Sequence, residues 1–177
     1  MPLTNLASLL AESGRPEEAL TLADRVEAIA TADQNSRLLD AAVVVRGVAL
    51  AETGRLAEAE IAWRRVLELR AVSQGPNDPG TAMAHYSLCR VLTMEAQFDD
   101  ALEHCRRAIA VEEFTYGRAH PSLFDTLELL AEAAQGAQRL PEAIAALERA
   151  AALGDDDDAV AALRARADAL RGSAAGR

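Results

Sequence analysis

Apolar and small residues recur along this chain at steps of three and four, the spacing that lines one face of an α-helix. Val43, Gly47 and Leu50 make one such stripe; Leu88, Cys89 and Leu92 make a second; Leu127, Leu130 and Ala131 make a third. Period-two alternation of β-branched and aromatic residues, the mark of a half-buried strand, is absent. Short turns of one kind follow the stripes: Gly14-Arg15-Pro16-Glu17-Glu18-Ala19, Gly54-Arg55-Leu56-Ala57-Glu58-Ala59, Ala96-Gln97-Phe98-Asp99-Asp100-Ala101 and Gln138-Arg139-Leu140-Pro141-Glu142-Ala143. The pattern predicts an all-α protein made of helix–turn–helix units.

The units are copies of one another. The closing alanines Ala19, Ala59, Ala101 and Ala143 stand 40, 42 and 42 residues apart. The same offsets align Leu6, Arg46, Leu88 and Leu130, and also Arg25, Arg65, Arg107 and Arg149. Two loops match as well, Gly75-Pro76-Asn77-Asp78-Pro79 and Gly117-Arg118-Ala119-His120-Pro121. Four repeats are expected within 1–154, at about 2–33, 36–75, 79–117 and 121–153. Acidic residues open each second helix and the recurring Arg lies further along, an order that suits the helix dipole. A solvated helix face accounts for these arginines; a shared anion-binding row is the sharper alternative. A lone hairpin cannot bury its apolar side, so hairpins stack to share a core.

After the repeats, Asp155 to Asp158 can cap and charge a helix start. Val160, Leu163, Ala167 and Leu170 then form one apolar stripe with Arg164, Arg166 and Arg171 off it. Residues 155–171 are therefore expected as a capping helix, with 172–177 a disordered tail. At the other end, Met1-Pro2-Leu3 runs straight into the first repeat, leaving an uncapped face open to self-association or to a longer array.

The small residues Ala7, Gly47, Cys89 and Ala131, the Gly-Arg turn and the fixed Ala after an acidic residue resemble tetratricopeptide repeats. The 42-residue period, the Gly-x-x-x-Pro loops and Asn5-Leu6-Ala7 are similar to the longer kinesin-light-chain variety. The resemblance spans about residues 3 to 153, with Ala96 and Gln138 standing where the turn glycine belongs. It implies an α-solenoid, a right-handed superhelix of about four hairpins plus a C-terminal capping helix. It also implies a concave groove, lined by the first helix of each repeat, that binds extended protein segments.

Opposite the core stripe His85, Leu88, Cys89 and Leu92, helical spacing puts Met83, Tyr86, Arg90, Thr93 and Met94 on the groove face. The matching positions of the second repeat are Ala41, Val44, Val48, Ala51 and Glu52; those of the fourth are Asp125, Glu128, Glu132, Gln135 and Gly136. The candidate partner-binding residues are thus Val44, Val48, Glu52, Met83, Tyr86, Arg90, Met94, Glu128 and Glu132. An apolar floor, a Tyr-Arg-Met centre and a carboxylate end suit a protein or peptide with an apolar stretch and a basic end. The plainer alternative is that the valines pack on a neighbouring helix and the glutamates are solvated.

Composition narrows the function further. The formal charge is −10 and all 18 basic residues are Arg, so the surface repels nucleic acid. The absence of Lys fits a GC-rich bacterial source. No signal segment and no long apolar run point to a membrane or export, so the expected setting is the cytoplasm. His85 and Cys89, with His104 and Cys105, could in principle hold zinc or pair as nucleophile and base. Two cysteines do not make a disulfide framework; adjacent His104 and Cys105 point about 100° apart on a helix and Cys89 stands where the other repeats have small core residues, which favours inert buried thiols. No catalytic residue, cofactor or metal is assigned. The expected function is a scaffold or adaptor; the alternative is a ligand- or peptide-sensing regulatory domain of a larger bacterial signalling protein.

Arg46 breaks the pattern, standing where the other repeats have Leu. Its stem can lie along apolar surface with the head in water, or its head can pair with Glu12, Asp24, Glu27 or Glu60.

Overall fold

The computed structural model describes residues 9–10, 13–73, 75 and 77–175. Its eight complete helices are α1 (Pro16–Ala32), α2 (Ser36–Glu52), α3 (Leu56–Ser73), α4 (Pro79–Met94), α5 (Phe98–Tyr116), α6 (Leu123–Gly136), α7 (Leu140–Leu153) and α8 (Asp157–Ala175). No strand occurs among the described residues. Most of the segment expected as the first helix of repeat one, with Asn5-Leu6-Ala7, Glu12 and the N-terminal end expected to be uncapped, lies outside the described residues; so does Pro76. Leu9 and Leu10 are helical, and Leu10 is buried.

The chain divides into two compact units, 1–76 and 77–177. In the first, α1 packs on α2 and α2 on α3; in the second, α4 to α8 pack each on the next, and α4 also touches α6. Packing between neighbours in sequence is what stacked hairpins produce.

One turn geometry closes all four hairpins. Backbone N–H groups of Arg15, Arg55, Gln97 and Arg139 donate to the carbonyls of Leu10, Leu50, Leu92 and Ala134, each five residues back, at 2.9, 2.9, 2.9 and 2.8 Å. Such a bond needs a left-handed residue just past the helix end. Gly14 and Gly54 supply it at φ +73°, and Ala96 and Gln138 adopt it at +57° and +58°. The missing glycines therefore leave the turn intact and carry a side-chain penalty instead.

In the first unit Trp63 of α3 is buried against α2. A Cβ at Gly47 would come within 2.7 Å of its ring, which explains a glycine at the small-residue position. Arg46 reaches from α2 to α1, its Nη2 2.7 Å from Asp24 and bonded also to Glu27. The ion-pair reading of Arg46 thus holds; Glu60 pairs with Arg64 at 2.7 Å instead. The recurring arginines differ in their surroundings. Arg25 is exposed, Arg65 pairs with Glu68, Arg107 with Glu103 and Arg149 with Glu113.

The second unit is built on Leu88, Leu92, Leu102, Leu123, Leu127 and Leu147, all withdrawn from solvent. Asp78 caps α4 by accepting from Gly80 N–H, with Pro79 at the first helical position. Asp156 accepts from Ala159 N–H at 2.7 Å and caps α8. Leu163 and Ala167 are buried where α8 packs on α7, while Arg164, Arg166 and Arg171 face solvent. Helix α8 differs from expectation at its end, continuing to Ala175 where a disordered tail is expected from residue 172. No proline stops it, alanine extends helices well, and one glycine costs only about 1 kcal/mol. Residues 176–177 lie outside the described part. Among the described residues, no helix is long and apolar enough to cross a membrane.

Candidate functional site

Helix α4 is covered on nearly every side. From Thr81 to Met94 its incompletely buried residues are Met83, Tyr86, Arg90 and Met94, at steps of three, four and four. They form one strip along the helix, and the two methionines are 41% and 57% exposed. This is the face expected from the sequence, except that Thr93 is buried. On α6 the strip is continued by Asp125 and Glu132, both exposed, and by half-buried Glu128. In the first unit, Val44 and Val48 of α2 are half-buried and Glu52 is exposed, while Ala51 of the same expected face is buried.

The carboxylates of α6 are not equivalent. Glu128 is engaged by Arg166 of α8 at 3.2 Å, so the last helix partly neutralises it. Asp125 instead faces Tyr86. The phenol of Tyr86 has its pKa raised, first by burial and then by the charge of Asp125, with Glu112 and Glu128 adding and Arg90 opposing.

Glu112 of α5 joins this group although the sequence did not single it out. It lines a cleft of about 290 Å³ between α4, α5 and α6, together with Met83, Tyr86 and Asp125. Thr126, itself buried, donates its hydroxyl hydrogen bond to Glu112 Oε1 at 3.1 Å. Burial raises the pKa of Glu112; the Thr126 bond partly counters this and the charge of Asp125 reinforces it. Antiparallel pairing brings the end of α5 beside the start of α4, so a second helix contributes to a face sought only on first helices.

His85, Cys89, His104 and Cys105 do come together, contrary to expectation. Cys89 and Cys105 are joined in a disulfide with Cα atoms 5.3 Å apart, and their thiols are not free. His85 Nδ1 and His104 Nδ1 are 2.9 Å apart, so one ring donates to the other. The pKa of His85 is lowered to about 4, chiefly by burial, then by His104 and Arg107, against a smaller opposing pull from Glu103. The 100° between neighbours on α5 did not keep His104 and Cys105 apart, because a helix–helix contact spans at least that width. The signal available was symmetry: Cys89 and Cys105 each stand eight residues from Gln97 in the turn. Disulfides persist in oxidising compartments and are uncommon in the cytosol, so this bond pulls against the cytoplasmic expectation. Among the described residues, no three His, Cys, Asp or Glu side chains are grouped to hold a metal ion.

The tetratricopeptide repeat family matches residues 37–111 and again 83–156. No curated protein matches the sequence. Among solved structures, the chain is similar to a Podosopora anserina protein with nearly identical TPR-like repeats of the kinesin light chain type. Identity is 23%, coverage 97% of this chain and 86% of the other, and the TM-score 0.83. It is also similar to BtubC from P. vanneervenii, at 17% identity over 99% of this chain and 80% of the other, with a TM-score of 0.76. MamA of Desulfovibrio magneticus RS-1 matches at 22% identity over 97% and 94%, with a TM-score of 0.67. At these identities the structural matches establish the fold, an α-solenoid of helical hairpins.

Proposed function

As the chain belongs to the tetratricopeptide repeat family, we propose that it is a protein-interaction scaffold that holds an extended partner segment along its first-in-repeat helices. The observation that carries this is the strip Met83, Tyr86, Arg90 and Met94, left open on an otherwise covered helix. Its residue types favour binding: tyrosine and arginine are enriched among interface hot spots, and methionine adapts to varied partners. The two methionines, 41% and 57% exposed, give the strip apolar surface that a partner can cover. Val44, Val48 and Glu52 are the corresponding positions of the second repeat, and Glu128 and Glu132 those of the fourth.

The repeats, at about 2–33, 36–75, 79–117 and 121–153, supply the binding faces, and α8 caps the last of them. The partner is a protein or peptide with an apolar stretch and a basic end, matching the methionines and the carboxylates of α6. With a net charge of −10 nucleic acid is not a partner. No catalytic residue is assigned.

The experiment is selection from a displayed random peptide library, followed by affinity measurement. Peptides selected on the native protein should lose at least ~30-fold in affinity for the Tyr86→Ala/Arg90→Ala variant, about 2 kcal/mol. The same peptides should bind an Arg107→Ala variant, changed on α5, as tightly as the parent. Equal affinity for all three proteins, with folding intact, refutes the assignment of this face.

A further inference from the structure

We propose that the cleft between α4, α5 and α6 is a pocket for one lysine or arginine side chain of the bound segment, with Glu112 and Asp125 receiving its cationic head. This deepens the scaffold reading above and rests on it. The cleft, about 290 Å³, is large enough for a single long side chain. Its walls divide by chemistry. Ala82 and Met83 give an apolar side for the methylene stem, and Tyr86 offers an aromatic ring near the head, where a cation gains from the ring's negative face.

The decisive feature is the state of Glu112. One oxygen accepts from Thr126, while Oε2 is buried with no hydrogen-bond partner among the described residues. A desolvated carboxylate normally has a basic partner, because removing its charge from water is costly. The next residue shows the contrast. Glu113 takes Arg149 at 2.6 Å and Arg118 at 3.5 Å, whereas among the described residues no ion pair reaches Glu112. Asp125 adds a second negative charge beside it, and burial together with Asp125 lifts the pKa of Glu112. An incoming cation would relieve both effects. Arg166, the arginine that α8 brings toward this side, is occupied by Glu128. The cleft shares Met83 and Tyr86 with the open strip of α4, so a segment lying on that strip passes its mouth.

The test selects peptides in parallel on the native protein and on a Glu112→Gln/Asp125→Asn variant with an unchanged melting curve. Native-protein binders should share Lys or Arg at one register position, and the enrichment should vanish on the variant. For one such peptide, replacing that basic residue by Met should weaken native binding at least ~10-fold and leave variant binding unchanged. Native binders without a shared basic position overturn the pocket but leave the scaffold standing. So does a basic residue whose loss costs both proteins equally, since that reports only attraction to net negative charge. Failure to select any peptide dependent on the α4 strip overturns the scaffold reading, and the pocket with it. If the double variant misfolds, Glu112→Gln alone, which keeps the oxygen that accepts from Thr126, is put through the same comparison.

Discussion

Arg70 on α3 and Asp40 on α2 are joined by two parallel hydrogen bonds, Nε to Oδ1 at 2.9 Å and Nη2 to Oδ2 at 3.0 Å. Their side chains are only 8% and 13% exposed. Breaking such a pair strands a charge in the core, whereas replacing both members with apolar residues does not. Asp40→Ala should therefore lower stability in urea unfolding by about 3 kcal/mol. The Asp40→Leu/Arg70→Met double variant should recover most of the loss. A double variant as unstable as the single one would show that the pair is needed for more than mutual neutralisation.

Arg46 sits in a wetter place and should behave differently. Its side chain is 31% exposed and its partner Asp24 is 64% exposed, so solvent weakens the attraction. Pairs of this kind contribute about 0–1 kcal/mol. Arg46→Leu, which restores the residue of the other repeats, should leave stability within about 1 kcal/mol of the parent. Any loss should shrink in high salt, which screens the pairing. A salt-independent loss above about 2 kcal/mol would contradict this account.

The two hairpin turns without glycine offer a direct gain. Ala96 and Gln138 hold left-handed backbone angles that side chains resist. Ala96→Gly and Gln138→Gly should each raise stability by about 0.5–1 kcal/mol, because strain relief outweighs the added freedom of the unfolded chain. Gly54→Ala should move the melting temperature the other way. Two destabilised glycine variants would mean the strain is absorbed elsewhere.

His85 makes stability depend on pH. Its folded pKa, about 4, lies below the ordinary 6.5, so the unfolded chain binds the extra proton first. Stability from this group is complete above about pH 6.5 and is lost as pH falls toward 4, by on the order of 2–3 kcal/mol. The raised pKa of Glu112 acts in the opposite direction, so the comparison must isolate one histidine. Between about pH 7 and pH 4, the native protein should lose more stability than a His85→Gln variant. Parallel pH profiles would remove the histidine from the explanation.

The hairpins, their period and the open strip of α4 were legible because each is written along one stretch of chain. Helical spacing alone places Met83, Tyr86, Arg90 and Met94 together. Arg46 was legible as a violation of the repeat, which left two outcomes, a head reaching water or a head paired with a nearby acid. The Arg70–Asp40 pair, the Cys89–Cys105 bond and the place of Glu112 depend on how one helix faces another. That register is fixed by packing such as Trp63 on Gly47, which spacing within a helix does not encode. The end of α8 was not legible for a local reason: the apolar stripe ends at Leu170, yet nothing after it forbids the helix.

Both sulfurs of the Cys89–Cys105 bond have no exposed surface. Thiol–disulfide exchange requires a reagent to touch a sulfur, so in the closed hairpin the bond can be neither made nor broken from outside. It is settled while α4 and α5 are coming together and is then sealed. The bond is therefore a memory of the chain's birth: it records the redox conditions at folding and holds that record when the surroundings change. Two molecules of identical sequence can carry different histories side by side, exchanging them only as often as the hairpin opens.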